Sequence, residues 1–287
     1  MRPVPWWLAG LALVAACAPW AKFAPPQPVT IEGYDGDAME PFLSRDGSLL
    51  FFNNRNDPPE QTNILWAERI DDLHFRYWGN VEGANSDTLD GVATLSPNGR
   101  FCFISPRSYQ RTLATIHCGE WAGDHIDRVK LQMKAAPLIP GRVVFDVELD
   151  ASGEFLILAD GKFTGGPVPA SADLRLARLV DGEYRLDPSA DRLFAAINTP
   201  ALEYAAALSS DGLTLSFTRL EGRPPFARTS IWLARRDNPG AAFSSPIRID
   251  TIDGFVEAAT FAPDGSIYFH KRIGDRFTLQ RSARMAR

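Results

Sequence analysis

Along most of this chain, apolar and polar positions alternate with the two-residue period of half-buried β-strands. The alternation is broken at regular intervals by a turn ending in glycine. Pro41-Phe-Leu-Ser-Arg-Asp-Gly47 leads into an apolar run at 49–52, and Ala93-Thr-Leu-Ser-Pro-Asn-Gly99 into a run at 101–103. Val147-Glu-Leu-Asp-Ala-Ser-Gly153, Ala206-Ala-Leu-Ser-Ser-Asp-Gly212 and Ala259-Thr-Phe-Ala-Pro-Asp-Gly265 repeat the phrase before runs at 155–157, 215–217 and 267–269. Glycine adopts the positive φ of a tight hairpin turn without steric cost, so each phrase predicts a two-stranded hairpin. The turns recur at a spacing of roughly fifty to sixty residues, the period of a propeller blade. Each hairpin is followed by two more strand-like runs, at 64–67 and 75–78 in the first copy and at 230–234 and 246–249 in the fourth. Four strands per repeat make one blade, and a lone four-stranded sheet cannot cover both its faces, so blades stack around an axis. The expected fold is therefore all-β, a five-bladed propeller of four-stranded blades. The fifth copy ends after three strands, while an apolar run at 29–31 precedes the first. We expect that run to join the last blade and close the ring.

The first residues follow another logic. Arg2 precedes an apolar stretch at 6–16, too short to span a bilayer as a stable helix. The stretch ends in Val14-Ala-Ala-Cys17, which resembles the lipobox of bacterial lipoproteins, where the cysteine thiol takes a diacylglyceryl group. That resemblance implies export to the periplasm and a lipid anchor on Cys17. Ala18, in place of the aspartate that retains lipoproteins at the inner membrane, points to the outer membrane. Cleavage after Ala18 as an ordinary signal peptide is the competing reading. The expected organisation is a leader at 1–17, a proline-rich tether at 18–28 and one propeller at 29–287. A net charge of −5 lacks the basic stripe of a nucleic-acid binder, so membrane contact is expected through the lipid only and the domain as a monomer. Export would leave Cys102 and Cys118 in an oxidising compartment. They fall on neighbouring strands in a register that also pairs Ile104 with Ile116. A disulfide and two free buried thiols are both compatible with this placement.

The repeat phrases, Leu-Ser-Pro-Asn-Gly99 and Ala-Pro-Asp-Gly265 above all, resemble the WD40-like repeat of TolB-type periplasmic propellers. The stretch from Glu203 through Gly212 to Phe217-Thr-Arg219 and Ile231-Trp-Leu-Ala-Arg235 carries the resemblance most fully. It implies a propeller and a non-catalytic envelope module that binds a protein or cell-wall partner.

Candidate chemistry lies at the start of the innermost strands, where an acid stands in every copy: Glu40, Asp90, Asp146, Glu203 and Glu257. A base follows each second strand: Arg55, Arg107, Lys162, Arg219 and Arg272. A ring of carboxylates around a channel can hold a cationic partner or perform acid–base work on a sugar. Against this, each acid has the base of its own blade as an ordinary ion-pair partner. The alternatives to a scaffold are thus a glycan-active hydrolase of the five-bladed type, with Glu40 at the first blade, or a lectin-like sugar binder. No nucleotide or phosphate loop and no nucleophile elbow occurs, and His74, His117, His125 and His270 lack metal-site spacing. Neither cofactor nor metal is expected. Trp66 and Trp232 hold equivalent third-strand places and read as packing residues.

Overall fold

The computed structural model describes residues 20–56, 62–222 and 226–286; the leader and Cys17 lie outside them. Among the described residues, hydrogen bonding groups the strands into four sheets of four, four, eight and five strands, and the eight-stranded sheet is two antiparallel units joined by one parallel pair, Ala172 with Leu202. The innermost strands of the five units are Met39–Leu43, Gly91–Leu95, Arg142–Leu149, Leu202–Leu208 and Val256–Phe261. The second strands are Leu49–Asn53, Arg100–Ile104, Phe155–Lys162, Thr214–Glu221 and Ile267–Ile273. Every hairpin expected from a turn glycine is present, and Gly47, Gly99, Gly153, Gly212 and Gly265 all have positive φ. Third strands at Ile64–Arg69, Ile116–Trp121, Ser171–Val180, Arg228–Arg235 and Arg276–Ser282 follow. Each innermost strand touches the next, and Val256–Phe261 returns to Met39–Leu43, so the units form a ring. The protein is an all-β propeller.

Packing explains the ring. Each of the five core clusters draws on two neighbouring units, as where Phe51 and Trp66 of the first meet Phe101 and Phe103 of the second. Near the axis the strands crowd together, and there the side chains are small: Ala93, Ala205, Ala206, Ala258 and Ala259. Side chains also bond across the seams. Leu149 N–H donates to Thr94 Oγ1 at 3.0 Å, Leu208 N–H to Glu148 Oε1 at 3.1 Å and Leu43 N–H to Thr260 Oγ1 at 3.3 Å.

The closure differs from the expectation. The strand that completes the last unit is Gln27–Pro28, paired antiparallel with Arg276–Ser282. Val29 N–H still reaches Leu279 O at 3.0 Å, but Thr30–Glu32 crosses the seam and runs parallel to His74–Asn80 of the first unit. Nor do residues 20–28 form a tether. Phe23 bridges to Arg284 and is buried, Trp20 and Ala21 pack on the same core cluster, and the Arg235 guanidinium lies over Trp20. The open edge of Arg276–Ser282 needs backbone partners, and Trp20 and Phe23 supply apolar area to hold them there. The folded unit thus begins by residue 20 rather than 29. Cys102 and Cys118 are joined by a disulfide in the expected register, with Ile104 opposite Ile116.

Candidate functional site at the channel mouth

Each innermost strand breaks its ladder register near its start. In four units a non-glycine residue there takes the left-handed conformation: Glu40 (φ 49°), Val92 (56°), Ala205 (49°) and Ala258 (55°). Such a bulge re-aims the side chain at that step, here toward the axis. Counted from the hairpin turn, the equivalent place in the third unit is Asp146. Of the five acids, Glu40 and Asp146 therefore hold this position, which Val92, Ala205 and Ala258 fill in the other units. Glu257 stands one residue earlier, level with Tyr204, and Asp90 and Glu203 stand two residues earlier.

This offset separates the five acids. Asp90 is buried but turns away from the axis, accepting from Ser86 N–H and Oγ and pairing with Arg107 at 2.5 Å. Glu203 does the same with Thr199 and Arg219, the latter at 2.7 Å. The expected ring of five thus reduces to three acids gathered at the mouth, Glu40, Asp146 and Glu257, while Asp90 and Glu203 form ion pairs within their own units. The other bases do not flank the cluster either. Arg55 pairs with Asp37 at 2.7 Å, and Arg272 bonds to Gly274 O. Lys162 lies exposed at a strand end, while Arg142 opposite it holds Asp160 at 2.6 Å.

Glu40, Asp146 and Glu257 are brought together with two residues that sequence reasoning missed. Tyr204 Oη donates to Glu257 Oε1, and His270 Nε2 donates to Glu257 Oε2 at 3.2 Å. Glu40 N–H donates to His270 Nδ1 at 3.1 Å, which fixes the imidazole proton on Nε2. Glu257 is therefore held as an acceptor by two donors. Burial pushes the Glu40 carboxyl up to about 8; the nearby imidazole of His270 opposes the shift, and the negative charges of Asp146 and Glu257 add to it. Burial likewise raises Asp146 well above the usual carboxylate range, with Glu148 adding to the shift. Burial and Glu257 raise the Tyr204 phenol, which keeps it a donor. At neutral pH the mouth thus holds a protonated carboxyl at Glu40 beside Glu257.

Donor atoms of Glu40, Glu257 and His270 lie within 4.8 Å of one another, a spacing that suits a cation. The tautomer argues otherwise. A metal on Nε2 would drive the imidazole proton to Nδ1, against the Glu40 N–H already aimed there. The geometry fits a proton-sharing cluster better than a metal centre.

From Glu40 and Asp146 down to Glu148 the channel is a cavity of about 30 Å³, room for a water or two. Its far end is plugged by Arg45, from the first hairpin turn. Arg45 binds Glu148 Oε1 at 2.5 Å and Leu149 O at 2.6 Å, and it also reaches Leu208 O. Glu148 was legible in principle, since strand alternation puts it on the same face as Asp146 two residues before. His270 was also legible as the ladder partner of Glu257.

A ring of antiparallel units around a carboxyl-centred channel defines a propeller with a polar site at one mouth of its channel. Neither a protein-family model nor a curated protein matches the sequence. Among solved structures, a glycoside hydrolase superposes with a TM-score of 0.61 at 11% identity over 93% of each chain. An exo-β-1,3-galactanase from Bifidobacterium bifidum s17, described as putative, gives 0.56 at 10% identity over 92% of each. TolB from Acinetobacter baumannii gives 0.47 at 12% identity, covering 86% of this chain and 55% of that one. The fold is shared with the first two of these; a particular kinship with TolB is not supported.

Proposed function

We propose that this protein is a glycan-active hydrolase of the propeller type, with Glu40 as proton donor and Glu257 as the carboxylate facing it. The carrying observation is the pairing at the channel mouth of a carboxyl held neutral near pH 7 with a carboxylate oriented by Tyr204 and His270. Glycosidic cleavage asks for this division: one acid to protonate the leaving oxygen, and one base or nucleophile across the sugar. The glycoside hydrolases among similar folds support the reading. Because the lower channel admits water but no sugar ring, the scissile bond must lie above Glu40, at the mouth. Incubating the purified protein with a panel of plant and bacterial oligosaccharides, and assaying new reducing ends, tests this. Glu40→Gln should lower turnover about 10²–10⁴-fold with the fold intact.

A second reading, a non-catalytic envelope module that binds a protein or cell-wall partner at the same mouth, is favoured by the narrowness of that channel. It predicts binding without any new reducing ends. Under either reading we propose export and a lipid on Cys17, which the Cys102–Cys118 disulfide supports, since such bonds persist in oxidising compartments.

A further inference from the structure

On the face opposite Glu40, where the hairpin turns lie, a cleft of about 430 Å³ opens between the first two units. Asp46 and Ser48 line one wall, Ser96 the other, and the indole of Trp121 faces it. Trp121 ends the third strand of its unit, and its N–H bonds Gly99 O of the turn below. The residues making the same bond in three other units are Arg69, Leu179 and Arg236, so an aromatic at this place is particular to the second unit among these four. The indole is held rigid: Phe101 stacks on it at 6.0 Å, and Phe51 and Trp66 meet it edge-on at 5.0 and 5.5 Å. Trp66 in turn stacks on Trp78, 5.9 Å away and 54% exposed on the outer strand. Three indoles thus run from the cleft to the rim of the molecule. Leaving a large flat ring in water is unfavourable unless something covers it.

We propose that this cleft is a glycan-binding site separate from the channel mouth, taking a neutral sugar whose ring stacks on Trp121. The axial hydrogens of a pyranose present an apolar face that matches an indole, and its hydroxyls at the ring edge require polar partners around it. Asp46 supplies an acceptor. Burial works against its ionisation, but hydrogen bonds from Ser44 and Ser48 outweigh this and hold it below the usual carboxylate range. Arg45 also lines the cleft, but Glu148 already holds its charge, so the charge left on the wall is that of Asp46, which selects against uronic acids and other anionic sugars. The cleft volume suits one or two sugar units, and Trp78 offers a further platform where the chain leaves it.

Calorimetric titration of the full chain with neutral gluco-, xylo- and galacto-oligosaccharides, and with oligogalacturonate, tests the proposal. One neutral series should bind, should do so better than oligogalacturonate, and should weaken at least tenfold in Trp121→Ala. Trp78→Ala should weaken longer chains more than short ones. Trp121→Ala should keep whatever reducing-end release the parent shows, which separates this cleft from the channel mouth. Should Trp121→Ala fold poorly, the indole N–H resonance of Trp121 in the parent protein serves instead and should shift on titration. Absence of any neutral-sugar binding, an unmoved Trp121 resonance, unchanged affinity in a folded Trp121→Ala, or preference for oligogalacturonate would each overturn it.

Discussion

At the scale of single residues, the electrostatics of the axis are the clearest handle. Glu40 has its carboxyl raised from 4.5 to about 8. Below pH 4.5 the group is neutral in both folded and unfolded chains and costs nothing. Between 4.5 and 8 the unfolded chain loses the proton that the folded one keeps. Stability from this group is therefore fully present at low pH and falls as pH rises, levelling near 8. Asp146 and Glu148 are raised as well and act in the same direction. The melting temperature should accordingly decline from about pH 4.5 to 8, and Glu40→Gln should flatten part of that decline. A thermal-melt series across that range decides it; parallel curves for the two proteins would refute the assignment. The buried Arg45–Glu148 pair behaves differently, because it joins three units across the channel floor. Arg45→Ala leaves a buried carboxylate without its partner and should cost about 3–5 kcal/mol, read from urea unfolding.

At the scale of elements, the N-terminal segment and the second-unit hairpin make opposite points about length. Gln27–Pro28 is two residues long, yet it covers the edge of the final unit, and Phe23 anchors it with 3% of its surface exposed. Phe23→Ala should cost about 3–5 kcal/mol, as expected for a buried phenylalanine. A loss of only about 0.5 kcal/mol or less, as substitution in a loose tether would give, would be inconsistent with this docking. The Cys102–Cys118 bridge ties neighbouring strands already paired residue by residue. Replacing both cysteines by alanine should cost about 2–4 kcal/mol, measured as a lower denaturant midpoint without loss of strand content.

At the scale of the whole molecule, every inter-unit seam is a core cluster, and the last seam is sealed by chain from the opposite terminus. Unfolding should then be cooperative, with the axial site and all the seams lost together. Coincident transitions from Trp fluorescence and far-ultraviolet circular dichroism would show this, whereas separated ones would mean independently unfolding units. The proposed lipid anchor at Cys17 precedes this closure in the chain. Cys17→Ser should move the protein from the membrane to the soluble fraction with an unchanged melting temperature, because Cys17 precedes the docked segment.

Hydrophobic period and turn chemistry are local properties, so the sequence alone determined the hairpins, their repeat and the all-β propeller. The cross-strand register of Cys102 and Cys118 followed from the same arithmetic. Offsets of one or two residues at the channel mouth were not local. Whether an acid faces the axis depends on a bulge in its strand, which aims Glu40 and Asp146 inward and leaves Asp90 and Glu203 to Arg107 and Arg219. No composition rule marks such a bulge where the left-handed residue is Glu40, Val92 or Ala205 rather than glycine. His270, Tyr204 and Arg45 come from other strands and turns, and only the closing of the ring brought them to Glu257 and Glu148. The chain thus encodes its strands in neighbouring residues, while its site exists only where five units converge.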